Sequence, residues 1–157
     1  MRTRLAVSLL FVALLTGGCP KGGSPIDIPG ITGPKMSDTE QIVDVLDDVH
    51  RGIENKRIYK VLAHVSKNYY DKEGRDYTAI QAYLNRLFKD YRDIRITRTR
   101  PRVIVQGDRA RAVETFGTRA KSTNPTSRRA INLQGQVTVY LEKTGDTWQI
   151  VEWGAIQ

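Results

Sequence analysis

The side chains of greatest chemical reactivity in this sequence are few. Cys19 is the single cysteine among 157 residues, and His50 and His64 are its two histidines. A single thiol excludes an intramolecular disulfide and a thiolate metal cage within one chain, and two histidines supply a zinc site poorly. A reactive-thiol enzyme is disfavoured too, because nothing in the sequence places a histidine beside Cys19. Cys19 is therefore a candidate attachment point, and no metal or cofactor is expected.

The residues before Cys19 have the order of an export signal. Arg2 and Arg4 precede an apolar run over residues 5–15, which is shorter than the roughly 20 residues that a membrane-spanning helix needs. The small residues at positions 16–18 then lead into the cysteine. The stretch LTGGC, residues 15–19, resembles the lipobox of bacterial lipoproteins, with Thr16 at the position where leucine is favoured. The alternative is an ordinary secretory signal with an incidental cysteine.

The lipobox resemblance implies three segments. Residues 1–18 are then a signal peptide that is removed, and Cys19 carries acyl chains, of which more than one is needed for a stable membrane anchor. Pro20 at the next position resembles lipoproteins sorted to the outer membrane, facing the periplasm. Residues 19–36, rich in proline and glycine, predict an unstructured tether. One folded domain is expected over residues 37–157.

Three helices are predicted in the first half of this domain. Ser37 and Glu40 have the spacing of a capping box, and apolar residues recur at helical spacing from Ile42 to Ile53. A shorter apolar pattern over residues 58–65 predicts a second helix. The third helix begins after Asp76 or Thr78, either of which can cap it, and its apolar positions are Ile80, Leu84, Leu87, Phe88 and Tyr91.

Four antiparallel strands are predicted in the second half, where apolar residues alternate with period two. Pro101 should bulge or interrupt the first strand, because proline cannot donate to the ladder. Glycine-containing turns at residues 106–108 and 144–146 follow the first and third strands. The predicted runs are residues 94–105, 109–121, 130–143 and 147–156. The fold class is therefore α+β, with three N-terminal helices packed on a four-stranded antiparallel sheet.

The chain resembles the nuclear transport factor 2-like superfamily, a cone of helices against a curved antiparallel sheet. The resemblance rests on the order of the elements and on three phrases: YYDKEGRD at residues 69–76, VIVQGDRA at residues 103–110 and GDTWQIV at residues 145–151. A cystatin-like relative with one helix fewer is the nearest alternative. The superfamily includes isomerases, dehydratases, hydrolases, transport adaptors and scaffolds, so the fold does not carry one function with it.

The resemblance implies a pocket between helices and sheet, where its enzymes hold an Asp, Glu or His with Tyr or Trp donors. The pocket candidates in this sequence are His64, Tyr69, Tyr83, Glu114 and Glu152. Glu152 is a candidate because it shares a predicted strand face with Trp148 and Ile150. Three of them have a competing structural role: His64 at a helix surface, and the two tyrosines in the core. No catalytic pair of the known enzymes can be assigned to these residues.

Positive charge is concentrated in the first two predicted strands. Residues 92–129 contain eleven basic and three acidic residues. Alternation would place Arg98 with Arg100, and Arg109 with Arg111, as a basic surface for anionic lipid or an acidic protein partner. Basic residues on strands also deter aggregation, which is the simpler interpretation. Nucleic acid is not expected as a partner, because no recognition motif accompanies the arginines.

Together these patterns predict a lipid-anchored envelope protein whose domain binds or scaffolds rather than catalyses. The alternative is an enzyme, of isomerase, dehydratase or hydrolase type, that acts on a small hydrophobic molecule in the pocket. A homodimer through the sheet is a further expectation from the resemblance. A deep apolar cavity that ends in a buried carboxylate or histidine would favour the enzyme, and a filled cavity would favour a scaffold.

Overall fold

A computed structural model describes residues 35–126 and 128–157 of the chain. Cys19, the predicted signal peptide and residues 19–34 of the predicted tether lie outside these residues. Met36–Gln157 forms one compact unit. Its helices are α1 (Asp38–Glu54), α2 (Ile58–Leu62) and α3 (Tyr77–Asp90), and its strands are β1 (Tyr91–Arg98), β2 (Arg102–Gln106), β3 (Arg109–Ser122), β4 (Ile131–Thr144) and β5 (Thr147–Trp153).

Local signals define the beginnings of α1 and α3. The Ser37 hydroxyl accepts from the Glu40 amide at 3.3 Å, and the Glu40 carboxylate accepts from the Ser37 amide at 2.8 Å. This is the predicted capping box, which satisfies two amides that have no partner within the helix. Asp76 caps α3 by accepting from the Ala79 amide at 2.8 Å. Both helix starts are therefore confirmed.

The second helix is shorter than predicted, because the chain leaves it to join the sheet. α2 ends at Leu62, and Val65 forms a parallel bridge with Ile150 of β5. The Ser66 amide donates to the Ile150 carbonyl, and the Ile150 amide donates to the His64 carbonyl, both at 2.8 Å. These two long-range hydrogen bonds hold residues 64 and 66 at the sheet. Residues 63–65, which the apolar pattern assigned to the helix, therefore lie outside it.

β3 lies inside a five-stranded antiparallel sheet, and the prediction of four strands was wrong by one. Pro101 divides the predicted strand of residues 94–105 into β1 and β2, because proline lacks the amide that a continuous ladder requires. β1 pairs with residues 116–122 of β3, and β2 pairs with residues 109–113 along the same edge. β4 pairs with the opposite edge of β3, and β5 pairs with β4.

The turns at Gly107 and Gly145 are confirmed. Their φ angles are 60° and 62°, in the left-handed region that glycine enters without a steric penalty. Each lies between two paired strands, β2 and β3 or β4 and β5. The glycines therefore fix where these hairpins reverse.

The hydrophobic core joins the helices to one face of the sheet. Ile42, Leu46 and Val49 of α1 pack with Leu141, Trp148 and Ile150 of the sheet, and all six are at most 1% exposed. The buried members of this cluster all come from residues 42–150. Met36–Gln157 therefore closes a core of its own, as an independently folding unit must.

Candidate binding cavity

An open cavity of about 440 Å³ lies between the helices and the sheet. α1 and α3 line one side, and the inner faces of β1, β3 and β4 line the other. The lining is mostly apolar, and its main apolar residues are Ile53, Leu87, Ile96, Phe116, Ile131 and Val137. Such a lining with a few polar groups is the usual character of a small-molecule site.

The segment after β5 forms part of the cavity wall. Gln157 and Gln136 exchange backbone hydrogen bonds of 3.0 and 2.9 Å, so this segment lies along β4. Gly135 makes the close approach possible, because a Cβ atom there would lie 2.6 Å from a methyl carbon of Ile156. Gly154, Ala155 and Ile156 consequently line the cavity.

The polar end of the cavity is built around Glu114 of β3, which is 1% exposed. Arg98 of β1 donates to one carboxylate oxygen of Glu114 at 2.9 Å, and its guanidinium also contacts Asp47 of α1. Nε2 of His50, also on α1, lies 3.4 Å from the second carboxylate oxygen. Three elements that are distant in sequence thus meet at one carboxylate. We refer to His50, Glu114, Arg98 and Asp47 as the polar cluster.

His50 has one ring nitrogen without a hydrogen-bond partner among the described residues, and burial of the ring favours the neutral imidazole. Burial lowers its pKa below the ordinary value, although the carboxylates of Glu114 and Glu54 oppose this. In the neutral imidazole, a proton on Nε2 would face the Glu114 carboxylate, which only accepts hydrogen bonds, and Nδ1 would then carry the lone pair. Nδ1 is buried and has no hydrogen-bond partner among the described residues. An unpaired buried acceptor is uncommon, and here it belongs to a residue that lines a cavity.

A loop that is held by Asp71 carries the charged residues at the other side of the cavity. The Asp71 side chain accepts from the Tyr69 hydroxyl at 2.9 Å, from the Glu73 and Arg75 amides at 3.1 and 2.9 Å, and from Arg75 Nε at 2.7 Å. Burial alone would raise the pKa of Asp71, but the hydrogen bonds from Arg75 and Tyr69 hold this pKa below its ordinary value. Glu73 and Arg75 line the cavity and pair with each other at 3.1 Å.

Two of the five predicted pocket residues line the cavity. Glu114 is at its polar end, and Tyr83 is on the α3 side, 45% exposed. Tyr69 is buried in the core, where its hydroxyl accepts from the Trp153 amide at 3.1 Å as well as donating to Asp71. His64 lies outside the cavity and pairs with Asp48 at 3.3 Å.

Glu152 does not share a face with Ile150, contrary to the prediction. Ile150 pairs with Leu141, whereas Glu152 pairs with Tyr140, so one extra residue of β5 sits between them. Such a bulge reverses the alternation and turns Glu152 to the other face of the sheet. One of its carboxylate oxygens is buried without a hydrogen-bond partner among the described residues, but Glu152 is not part of the cavity lining.

His50 is the cavity residue that the sequence analysis missed. It lies four residues after Leu46 and three before Ile53, on the stripe of α1 that carries the apolar residues. A histidine on the core face of an amphipathic helix must either find a partner or line a cavity. That spacing was the available signal.

The basic surface differs from the prediction at Arg98. Arg98 alternates with Ile94 and Ile96 on the inner face of β1, and its side chain is 17% exposed beside Glu114. Arg100, Arg109 and Arg111 are exposed, and Arg109 pairs with Glu142 at 3.3 Å. A contact of these three arginines with anionic lipid or an acidic partner stays a prediction, as does a homodimer through the sheet.

Two features are absent from residues 35–126 and 128–157, the part of the chain that the structure describes. No group of three or more His, Cys, Asp or Glu side chains in this part of the chain could hold a metal ion. None of its helices is long and apolar enough to cross a membrane. A second groove, of about 490 Å³, is lined by Tyr59, Lys67, Tyr77 and Gln149 among others, without a carboxylate or histidine.

Comparison with solved structures identifies the architecture. A Salmonella enterica protein of the nuclear transport factor 2-like superfamily superposes with a TM-score of 0.63 at 15% identity, over 74% of this chain and 87% of that one. The fold is nuclear transport factor 2-like. A Novosphingobium aromaticivorans protein provisionally named a scytalone dehydratase has a TM-score of 0.67 at 14% identity, over 78% and 89% of the two chains. A type 2 hexachlorocyclohexane dehydrochlorinase has 0.64 at 13% identity, over 74% and 83%.

At these identities the likeness concerns the nuclear transport factor 2-like fold alone. No protein-family profile matches the sequence, and no curated protein sequence matches it. Proteins with this fold include named enzymes, but the fold alone does not assign a chemistry to this domain.

Proposed function

We propose that the domain binds a small, mainly apolar molecule in the cavity, and that lipid at Cys19 anchors the protein in the cell envelope. The open cavity, with its mostly apolar lining and a buried polar cluster at one end, is the observation that supports the binding role. A scaffold of this fold has no need of such a space, because a filled interior is more stable than an open one.

Exposed apolar side chains around the cavity support the same proposal. Tyr83 is 45% exposed, Leu133 is 40% exposed and Ile156 is 51% exposed, and all three line the cavity. Exposed large apolar groups that are clustered, rather than scattered, are typical of ligand-binding sites. A bound apolar molecule would cover them and would remove their surface from water, which is the main driving force for its uptake.

Acid-base catalysis on the bound molecule is the second candidate function. The contact between His50 and Glu114 favours it, because a neutral imidazole can take up a proton at Nδ1 while the carboxylate stabilises the imidazolium that forms. The buried Glu114 carboxylate and His50 at the end of the cavity are the feature that favours an enzyme, but Glu114 is already paired with Arg98, so binding without catalysis remains the first proposal. The other ionisable groups of the described lining are Glu73, Arg75 and Tyr83. They belong to the loop and to α3 and are not part of the polar cluster.

A cavity-filling substitution tests the binding role. Residues 36–157 should bind Nile red, an uncharged fluorophore that brightens in apolar surroundings, and Thr118→Trp should weaken this binding at least about tenfold. Thr118 lines the cavity from β3, so an indole at this position would occupy ligand space. Fluorescence titration measures the affinity.

The matched control is Thr115→Trp, three residues earlier on the same strand. Thr115 is exposed and alternation places it on the outer face, with Gln136 opposite. This variant should bind the dye as the parent does. Equal binding by parent and Thr118→Trp, with both folded, would contradict the proposal. Recovery of a chemically altered ligand from the parent but not from His50→Gln would instead support the catalytic candidate.

Lipid attachment is tested at Cys19. The full chain, expressed in a bacterium and labelled with a palmitate analogue, should incorporate label and remain with the membrane fraction. Cys19→Ser should lose the label completely, because the thiol is the attachment atom that the LTGGC stretch predicts. Ser24→Ala, in the same segment, is the matched control and should label as the parent does. Labelling of the Cys19→Ser variant at the parent level would exclude the anchor.

A further inference from the structure

The charges in and around the polar cluster favour an uncharged ligand. Glu114, Asp47 and Glu54 contribute three carboxylates near His50, and Arg98 contributes one guanidinium. Arg98 is shared between Glu114 and Asp47. Glu54 already accepts from the Ile96 amide at 2.8 Å. By formal charge this region is therefore negative, and the guanidinium has two anionic partners already.

The loop side of the cavity offers no better position for an anion. Arg75 is the one arginine or lysine of the lining among the described residues, and it pairs with Asp71 at 2.7 Å and with Glu73 at 3.1 Å. A carboxylate or phosphate group placed at the polar cluster would lose its hydration there and would meet carboxylates whose cation is occupied. Burial of an unpaired anion is strongly unfavourable under such conditions.

A hydrogen-bond donor, in contrast, has a ready partner. Nδ1 of His50 carries a lone pair, is buried and lacks a partner among the described residues. In the neutral imidazole, the contact of Nε2 with the Glu114 carboxylate leaves Nδ1 as the accepting nitrogen. A ligand hydroxyl that donates to Nδ1 would remove the cost of this unsatisfied acceptor, which an ether or a hydrocarbon cannot do.

We propose that the cavity selects apolar molecules that carry an uncharged hydrogen-bond donor, a hydroxyl group in particular, and excludes the corresponding carboxylates. This inference rests on the proposed binding function and specifies its ligand class. The apolar body lies against Phe116, Ile96 and Val137, and the hydroxyl lies at His50. The exclusion of carboxylates follows from Glu114, and the preference for a donor follows from Nδ1 of His50.

Three probes that each carry a straight ten-carbon chain separate these effects by displacement of Nile red from residues 36–157 at neutral pH. 1-Decanol should displace the dye at a concentration about tenfold lower than decyl methyl ether, although the ether is the more apolar molecule. Decanoate, which is ionised at this pH, should be weaker than the alcohol by more than about tenfold. Decanoate equal to or better than decanol would overturn the inference, and so would equal displacement by the ether and the alcohol.

A substitution at His50 tests whether its Nδ1 atom causes the preference for a ligand that donates a hydrogen bond. With displacement referred to the variant's own affinity for the dye, His50→Leu should give equal displacement by the alcohol and the ether, while decanoate stays weak because Glu114 remains. His64→Leu, outside the cavity, is the matched control and should keep the parent's ranking. The ranking on the parent protein alone decides the inference if His50→Leu does not fold. Failure of the dye to bind the folded parent would remove the proposed function and this inference with it, whereas dye binding with the wrong ranking would remove only the inference.

Discussion

Replacement of Arg98 by methionine should lower the free energy of unfolding by about 3–5 kcal/mol, which is the usual cost of removing one partner from a buried ion pair. The Glu114 side chain is 2% exposed and the Arg98 side chain is 17% exposed, so solvent screens their contact of 2.9 Å little. Methionine keeps most of the apolar stem, and the loss therefore comes from the charge left on Glu114. Chemical denaturation of residues 36–157 measures it.

Two further variants show whether the buried charge is the cause. Arg98→Met combined with Glu114→Met should recover most of the lost stability, because an apolar pair of similar volume often replaces a buried ion pair without cost. Arg95→Met is the matched control on the same strand, where the side chain is exposed, and it should change stability by less than about 0.5 kcal/mol. A loss below 1 kcal/mol for Arg98→Met would contradict the structural role of the pair.

Asp71→Asn should cost about 2–4 kcal/mol, because hydrogen bonds to a charged group contribute about 1.5–3 kcal/mol each. The Asp71 side chain is 0% exposed. Asparagine can still accept from the Glu73 and Arg75 amides with its one oxygen. Its amide nitrogen, however, would face the Tyr69 hydroxyl and Arg75 Nε, which are both donors. The measured quantity is again the free energy of unfolding.

The pH dependence of stability separates charge from shape at this position. The native pKa of Asp71 is lowered, so its contribution is fully present above the unfolded value of about 3.9 and is lost as the pH falls through the native value. The parent should therefore lose more stability on acidification below pH 4 than Asp71→Asn does. Glu73→Gln, at a carboxylate that is 45% exposed, is the control and should keep the parent's profile. Parallel profiles for the parent and Asp71→Asn would show that Asp71 does not contribute as a carboxylate.

Sequence determined the parts of this fold that depend on neighbouring residues. The Ser37 and Glu40 side chains can satisfy amides only near the start of a helix, so their spacing fixed the beginning of α1. Gly107 and Gly145 fixed the hairpin reversals in the same way, and Pro101 fixed the break between β1 and β2. The spacing of residues along the chain also places two polar groups of the site on inward faces. His50 lies on the apolar stripe of α1, and Arg98 alternates with Ile94 and Ile96.

Tertiary structure decided which of these groups meet. The sequence places His50 on an inward face. Its approach to Glu114, which lies 64 residues later in the chain, depends on how α1 packs over β3. The bulge in β5 turned Glu152 away from the core face, because one extra residue reverses every side chain beyond it. α2 ended early because residues 64–66 gain hydrogen bonds with Ile150 that a helix cannot offer. Caps and turns are decided by contacts a few residues apart, whereas a cavity and its charges are decided by packing between elements that local sequence does not encode.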